Sequence, residues 1–209
     1  LGSSATAAVA LMAMCSGATG IDMTRQEIAE KAWEIEVNKI GLFGGKQDQY
    51  AAAFGGVNII SFSDTVEVTP MSRSFIKGVL PGLCLFYTGK NRKSTKIQEG
   101  LRELTPEKRA ALDRIKNITI DSTKAIADGD IKTVGELLDE SWKRKKESNG
   151  KVSTDRIDKM YEKAIKLGAY GGKLLGSGGG GHLLFVVDPE KKKPFTEKIG
   201  LTPVDFDVD

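Results

Sequence analysis

The chain has 209 residues, of which 40% are hydrophobic and 28% charged, and its formal net charge is +3 at pH 7. This composition is typical of a globular protein with a buried core and excludes an intrinsically disordered chain. The small net charge argues against a nucleic-acid-binding protein, and no apolar run approaches the roughly 18 residues of a membrane span.

The first predicted element is a helix that starts with two serines after a glycine. Ser3 or Ser4 is expected to cap it, and the alanine-rich stretch that follows favours a helix to about Cys15. A glycine and small hydroxyl residues at a helix start offer backbone N–H groups and a positive dipole end to an anion. A serine there is also a candidate magnesium ligand. An ordinary helix cap has the same pattern, so both interpretations stay open.

The two cysteines, Cys15 and Cys84, lie in apolar stretches. Both are predicted to be buried free thiols in a reducing compartment. The N-terminal stretch also lacks the basic lead of a signal peptide, which favours a cytoplasmic protein.

A second helix is predicted over residues 25–39, with apolar residues on one face. Glu36 lies four residues after Ala32, so it is expected to border that apolar face. A carboxylate at such a position is costly unless it is paired or bound to a cation. Glu30 and Glu34, in contrast, are predicted to be ordinary surface residues.

The most informative segment is residues 44–53, GGKQDQYAAA, with a short helix predicted from about Lys46 to Ala53. Asp48 lies among amides directly after a glycine pair and twelve residues past Glu36. This pattern suits a proton acceptor beside a metal ligand. Taken alone, Asp48 is equally consistent with an acid that is stabilised by the dipole of its helix.

The rest of the chain is predicted to mix short strands with longer helices, and the helices cluster in the middle of its second half. The expected elements are a hairpin (57–62 and 65–68), strands at 83–87, 183–187 and 202–206, and helices at 106–127, 130–147, 154–168 and 189–198. This order indicates an α+β architecture rather than repeated βαβ units. A domain boundary is predicted near Gly78–Gly82, which divides the chain into residues 1–78 and 79–209.

Five glycines occur within residues 176–181, GSGGGG, directly before an apolar strand. A flexible turn is one interpretation. The alternative is a backbone that bends sharply or passes very close to another group, since glycine alone permits both.

Together these motifs resemble the GHMP superfamily of small-molecule kinases. Residues 1–6, LGSSAT, are similar to the back half of its phosphate loop, and residues 176–185 are similar to its C-terminal glycine-rich motif. The resemblance covers essentially the whole chain and implies a two-subdomain α+β fold whose N-terminal part is truncated, because the family's first motif would precede Leu1. Residues 45–56 are most similar to the bacterial group that phosphorylates heptose 7-phosphate.

The resemblance implies transfer of the γ-phosphoryl group of ATP, with Mg²⁺, to the anomeric hydroxyl of a heptose phosphate. It assigns Gly2, Ser3 and Ser4 to the phosphate loop. Ser4 and Glu36 are expected to be magnesium ligands, and Asp48 is expected to face the acceptor hydroxyl as catalytic base.

Other positions are expected to contact the acceptor or the transferred group. These are Gln47, Gln49 and Gly178–Gly181, with Arg92 as a cation for the sugar's phosphate and Lys46 as a catalytic aid or a surface residue. The implied partner is a small-molecule sugar phosphate, without nucleic acid or membrane, and a homodimer is left open.

Three alternatives remain. The chain is a different sugar-1-kinase, of the fucose or galactose type, or a non-catalytic sensor that binds nucleotide and sugar with the same fold, or an incomplete, inactive fragment. A sensor need not retain both Glu36 and Asp48, so their presence favours a kinase.

Overall fold

The computed structural model describes residues 2–42, 44–89 and 105–207. They form two compact units, an N-terminal unit that runs to Met71 and also includes Asp207, and a C-terminal unit, Ser72–Phe206. This division falls before the boundary predicted between residues 78 and 79, because the helix Arg73–Val79 buries Ile76 and Val79 in the C-terminal unit. No helix in these described ranges has both the length and the apolar composition that crossing a membrane requires.

The N-terminal unit consists of three helices and a hairpin. Its elements are α1 (Ser3–Thr19), α2 (Arg25–Glu34), α3 (Gln47–Phe54), β1 (Asn58–Phe62) and β2 (Val66–Pro70). The three helices contact one another in pairs, and β1 and β2 form the predicted antiparallel hairpin, with Asn58 opposite Pro70.

Helix α1 differs from its prediction at both ends. Its N-cap is Gly2 in a left-handed conformation (φ 57°), and no side chain caps it, so the predicted serine cap is wrong. The helix continues past Cys15 to Thr19 and ends at Gly20, whose φ of 69° only glycine adopts readily. Cys15 is exposed rather than buried, because α1 buries little beyond the Ala5 and Val9 side of the helix.

Helix α2 begins with the capping box of Thr24 and Glu27, since each residue accepts from the other's backbone N–H. Its last turn widens into a π-helical segment, Ile35–Lys39, in which the N–H of Ile40 donates to the carbonyl of Ile35. Glu36 lies in this segment and is buried. The predicted single α-helix therefore ends early, because a hydrophobic pattern does not reveal one extra residue in a turn.

The C-terminal unit packs helices against a four-stranded antiparallel sheet. Its elements are α4 (Arg73–Val79), β3 (Leu83–Tyr87), α5 (Pro106–Ala127), α6 (Ile131–Ser148), α7 (Asp155–Lys166), β4 (Gly171–Leu174), β5 (His182–Val186), α8 (Lys192–Ile199) and β6 (Thr202–Val204). The strand order is β4-β5-β3-β6, and β3 pairs with β5 from Leu83 opposite Val186 to Tyr87 opposite His182.

Two groups of buried side chains hold this sheet. The larger one joins the aromatic rings of Phe86, Phe185 and Phe195, whose centroids lie 6.0–6.2 Å apart. The smaller one surrounds Val134 and Val186. This packing explains why strands β3 and β5 could be predicted from the sequence. Strands that are buried in a core appear in the sequence as continuous apolar runs.

Strand β4 was not predicted, and its glycines show why it forms. A Cβ on Gly171 would collide with the carbonyl oxygen of Gly135 and lie 2.8 Å from the Cβ of Asp139, both on α6. Glycine disfavours strands by propensity, but here it allows α6 to approach the sheet edge closely.

We expect Gly171→Ala to lower the free energy of unfolding by about 1–3 kcal/mol, because the added methyl group has no space. Gly150→Ala is the matched control, since a Cβ at Gly150 would meet no heavy atom within 4 Å. Chemical unfolding of both variants measures the difference. Equal stability of the two variants would contradict the close approach.

Candidate active site

The N-terminal unit brings the start of α1 beside the start of α3. Asp48 is exposed in the first turn of α3. A Cβ built on Gly2 would lie 3.8 Å from the Cβ and Cγ of Asp48 and 3.9 Å from its Oδ2. The two motifs lie 46 positions apart in the sequence, and the fold makes them neighbours, as the kinase resemblance requires.

The start of α1 has the features of an anion site. Gly2 leaves the helix end without a side-chain cap, and Ser3 and Ser4 are exposed in the first turn. An uncapped helix start presents unsatisfied N–H groups and the positive end of the helix dipole. Two hydroxyl groups at the same place add oxygens for a cation or donors for a phosphate.

Glu36 and Gln49 form a buried polar pair within the same unit. Their exposed fractions are 5% and 6%, and Gln49 Nε2 donates to Glu36 Oε2 over 2.6 Å. Gln49 Oε1 is buried and has no hydrogen-bond partner in the described part of the chain. The π-helical segment that carries Glu36 contacts α1.

These residues fit a magnesium ion. A buried carboxylate and an unpartnered buried carbonyl oxygen are costly without a cation or a donor, and Mg²⁺ prefers oxygen ligands. The described residues contain no group of three or more His, Cys, Asp or Glu side chains that would enclose a metal. Proteins usually bind Mg²⁺ with one or two carboxylates and the substrate's phosphates, so Glu36 is the carboxylate that would hold it here.

Lys46 is engaged by residues of α2. Its Nζ lies 3.0 and 2.8 Å from the two carboxylate oxygens of Glu30 and 4.5 Å from the centre of the Trp33 ring. The Tyr50 hydroxyl donates to the same carboxylate over 2.6 Å. Glu30, predicted to be an ordinary surface residue, is therefore a half-buried centre of a cluster. No sequence signal links it to Lys46, because the two are sixteen positions apart.

The pKa values of this cluster follow from its geometry. Burial by itself would raise the pKa of Glu30, but hydrogen bonds from Lys46 and Tyr50 outweigh it and hold that pKa below its usual value. Burial and the bond to Glu30 raise the pKa of the Tyr50 hydroxyl. Glu30 is therefore ionised and Tyr50 neutral at physiological pH.

The two amides beside Asp48 differ in their surroundings. Gln47 is exposed, and its Nε2 lies 3.4 Å from Asp48 Oδ1. Gln49 is buried and turned to Glu36. Gln47 alone of the pair has the exposure of an acceptor-binding residue.

The glycine-rich loop belongs to the C-terminal unit. Gly178–Gly181 have φ values of 123°, 73°, 158° and 106°. The Gly179 N–H donates to the Val152 carbonyl, and Gly181 and Thr88 exchange backbone and hydroxyl hydrogen bonds of 2.9–3.0 Å. These positive φ values show that the segment requires glycines. Its hydrogen bonds hold it in one conformation, so it is not the flexible turn that was one interpretation of the sequence.

A cavity of about 170 Å³ adjoins this loop within the C-terminal unit. Its lining residues are Thr88, Thr154, Arg156, Ile157, Met160, Gly179 and Gly180. Arg156, which the sequence did not single out, donates from Nη2 to the Thr88 carbonyl over 2.8 Å. Arg92, the predicted phosphate-binding cation, lies outside the described residues.

Comparison with known proteins gives matches along most of the chain. Residues 1–56 match the family model of the GHMP kinases N terminal domain, and residues 122–200 match that of GHMP kinases C terminal. D-glycero-alpha-D-manno-heptose 7-phosphate kinase of Campylobacter jejuni is 36% identical over 198 residues, which are 92% of this chain and 58% of that protein. Galactokinase of Thermococcus kodakarensis is 28% identical, over 91% of this chain and 62% of its own length.

A solved structure has the same fold. The crystal structure of a D-glycero-D-manno-heptose 1-phosphate kinase from Bacteroides thetaiotaomicron matches with a TM-score of 0.74 and 30% identity, and covers 100% of this chain and 60% of that one. The chain thus spans about three fifths of the length of these relatives.

Proposed function

Since the chain belongs to the GHMP kinase family, we propose that it transfers the γ-phosphoryl group of ATP to the anomeric hydroxyl of D-glycero-D-manno-heptose 7-phosphate. The observation that carries this proposal is the position of the Asp48 carboxylate beside the start of α1, in the unit that also buries Glu36. The choice of sugar is supported by the name of the relative from Campylobacter jejuni.

The start of α1 is proposed to hold the phosphates of ATP. Its N–H groups and the hydroxyls of Ser3 and Ser4 would bind phosphate oxygens, and Gly2 lets the backbone approach them without a side chain. Phosphoryl transfer depends mainly on positioning and neutralisation of charge, so these fixed donors contribute directly to the rate.

Glu36 and Ser4 would hold Mg²⁺. The chemistry that this ion supplies when bound is neutralisation of the charge on the phosphate oxygens. Gln49 holds the Glu36 carboxylate in one orientation through its hydrogen bond, which keeps the carboxylate in place whether or not nucleotide is present.

Asp48 is proposed to orient the acceptor hydroxyl and to take its proton on a carboxylate oxygen. Gln47, exposed beside it, would bind the same sugar. Gly178–Gly181 and Arg92 are proposed to contact the acceptor and its phosphate, and Lys46 to support Asp48. The two free cysteines support a reducing, cytoplasmic compartment.

A panel of acceptors tests the proposal. ADP formation is measured with the heptose 7-phosphate, the same heptose without its phosphate, galactose and fucose, and ³¹P NMR identifies the product. We expect the heptose 7-phosphate to have the highest kcat/KM, by roughly 10²-fold or more, since a site built for a phosphate leaves its polar groups unpaired without one.

Each other outcome selects an alternative. Preference for galactose or fucose assigns the chain to another sugar-1-kinase, as the similarity to galactokinases allows. Binding of ATP and sugar without ADP formation identifies a sensor. Failure of this chain to bind either ligand is the result expected of an incomplete, inactive fragment, and the same failure in the full-length protein refutes the proposed function.

A further inference from the structure

The Glu30 carboxylate on α2 accepts hydrogen bonds from residues on both sides of Asp48. Glu30 accepts from Lys46 Nζ at 2.8 and 3.0 Å and from the Tyr50 hydroxyl at 2.6 Å. Lys46 lies two residues before Asp48 and Tyr50 two residues after it. The helical turn that carries Asp48 is therefore anchored at both ends to one side chain.

The segment before this turn is anchored by the neighbouring turn of α2. Trp33 Nε1 donates to the Gly44 carbonyl over 3.3 Å, and the same ring lies 4.5 Å below the Lys46 ammonium. Glu30 and Trp33 are three positions apart and so share one face of α2. Together they hold the backbone from Gly44 to Lys46, which would otherwise have the freedom of a glycine-rich loop.

The anchoring is joined to the buried core of the unit through Tyr50. Tyr50 is fully buried, and its ring packs against Phe54 and Phe62 at centroid distances of 6.2 and 6.0 Å. The bonds to Glu30 are charge-assisted and partly shielded from water, because the Glu30 and Lys46 side chains are only 35% and 30% exposed. Such bonds are stronger than neutral ones or exposed ion pairs.

We propose that Glu30 is a positioning residue that sets the place of the Asp48 carboxylate through Lys46 and Tyr50. The inference rests on the proposed function, which makes Asp48 the base. In this assignment Lys46 acts as the link between Glu30 and the Asp48 turn, and its ammonium is used in holding that turn. A misplacement of about 1 Å is enough to cost roughly 10²-fold in rate, so this anchoring matters for turnover.

Glu30→Gln tests the proposal, with Glu34→Gln as the matched control. Glu34 lies on the same helix and pairs with Lys31 at the surface, so its loss should change nothing. For Glu30→Gln we expect kcat to fall about tenfold or more with the KM for ATP unchanged, because the start of α1 is left intact.

A second measurement does not depend on activity. The chain has two tryptophans, Trp33 and Trp142, and Trp142 is fully buried in the C-terminal unit. Acrylamide quenching therefore reports mainly on Trp33. We expect quenching to increase in Glu30→Gln and not in Glu34→Gln, because Lys46 is then released from the Trp33 ring.

Lys46→Met and the double variant with Glu30→Gln complete the test. If Glu30 acts through Lys46, each single variant loses kcat and the double variant loses little more. Additive losses, or full turnover and unchanged quenching in Glu30→Gln, would overturn the proposal. If Glu30→Gln fails to fold, Lys46→Met alone is tested. It must then show the loss of kcat of about tenfold or more and the increase in quenching that are expected for Glu30→Gln, or the proposal is wrong. Full turnover in Asp48→Asn would instead refute the role of Asp48 and leave the quenching result standing.

Discussion

Replacing Asp48 with asparagine is expected to lower turnover at least tenfold, and by as much as roughly 10²–10⁴-fold, the usual contribution of a positioned base. The amide keeps the size and hydrogen-bonding capacity of the carboxylate but does not accept the proton. Affinity for ATP should be nearly unchanged, because the N–H groups and hydroxyls at the start of α1 are untouched. Single-turnover kinetics and nucleotide titration separate the two effects.

Asp64→Asn provides the control for this prediction. Asp64 is exposed at the turn between β1 and β2 in the same unit. The same change of charge there should leave turnover at the wild-type level. If Asp48→Asn also turned over at the wild-type rate, Asp48 would not be the base.

Replacing Glu36 with glutamine is expected to weaken the binding of Mg²⁺ without lowering the free energy of unfolding. The charge that would hold Mg²⁺ is lost, and we expect metal affinity to fall by at least roughly 10–100-fold, which is the effect of losing even a supporting partner of a metal ligand. The free energy of unfolding should stay equal or rise, because a buried carboxylate without a cation is costly and a buried amide is less so.

Binding of Mn²⁺ followed by electron paramagnetic resonance, with ADP present, measures the first effect, and chemical unfolding measures the second. Glu67→Gln, at an exposed position of β2, is the control. Unchanged Mn²⁺ affinity in Glu36→Gln would exclude Glu36 as a metal ligand. A large loss of stability would mean that its carboxylate is mainly a structural partner of Gln49.

The sequence predicted those elements whose signal is local. Strand β3 was predicted at its observed bounds, and α5 spans residues 106–127 as predicted, with Thr105 as its N-cap and Pro106 as its first residue. Capping residues and buried strands are set by neighbours in sequence. The sequence also indicated that Glu36 is not an ordinary surface residue, because its position four residues after Ala32 places it at the border of the apolar face of the helix.

Two of the features that were missed, strand β4 and the role of Glu30, depend on distant parts of the chain. The cap at Gly2 was assigned to serines, since a pattern of small hydroxyl residues does not show which backbone conformation is selected. Strand β4 forms from glycines against local propensity because α6 packs on it. Glu30 resembles any surface acid until Lys46 and Tyr50 fold onto it. Tertiary contacts override propensity or pattern for β4 and Glu30, whereas the cap at Gly2 is set by local backbone conformation.

The bonded backbone of the glycine-rich loop also bears on ligand affinity. Glycine loses more conformational freedom on folding than any other residue, and Gly179 and Gly181 are already fixed by Val152 and Thr88. The entropy of ordering this segment is thus lost when the chain folds, before a ligand arrives. A substrate that contacts the loop meets a preorganised backbone at Gly179 and Gly181, and its binding free energy is not reduced by the need to order these two glycines.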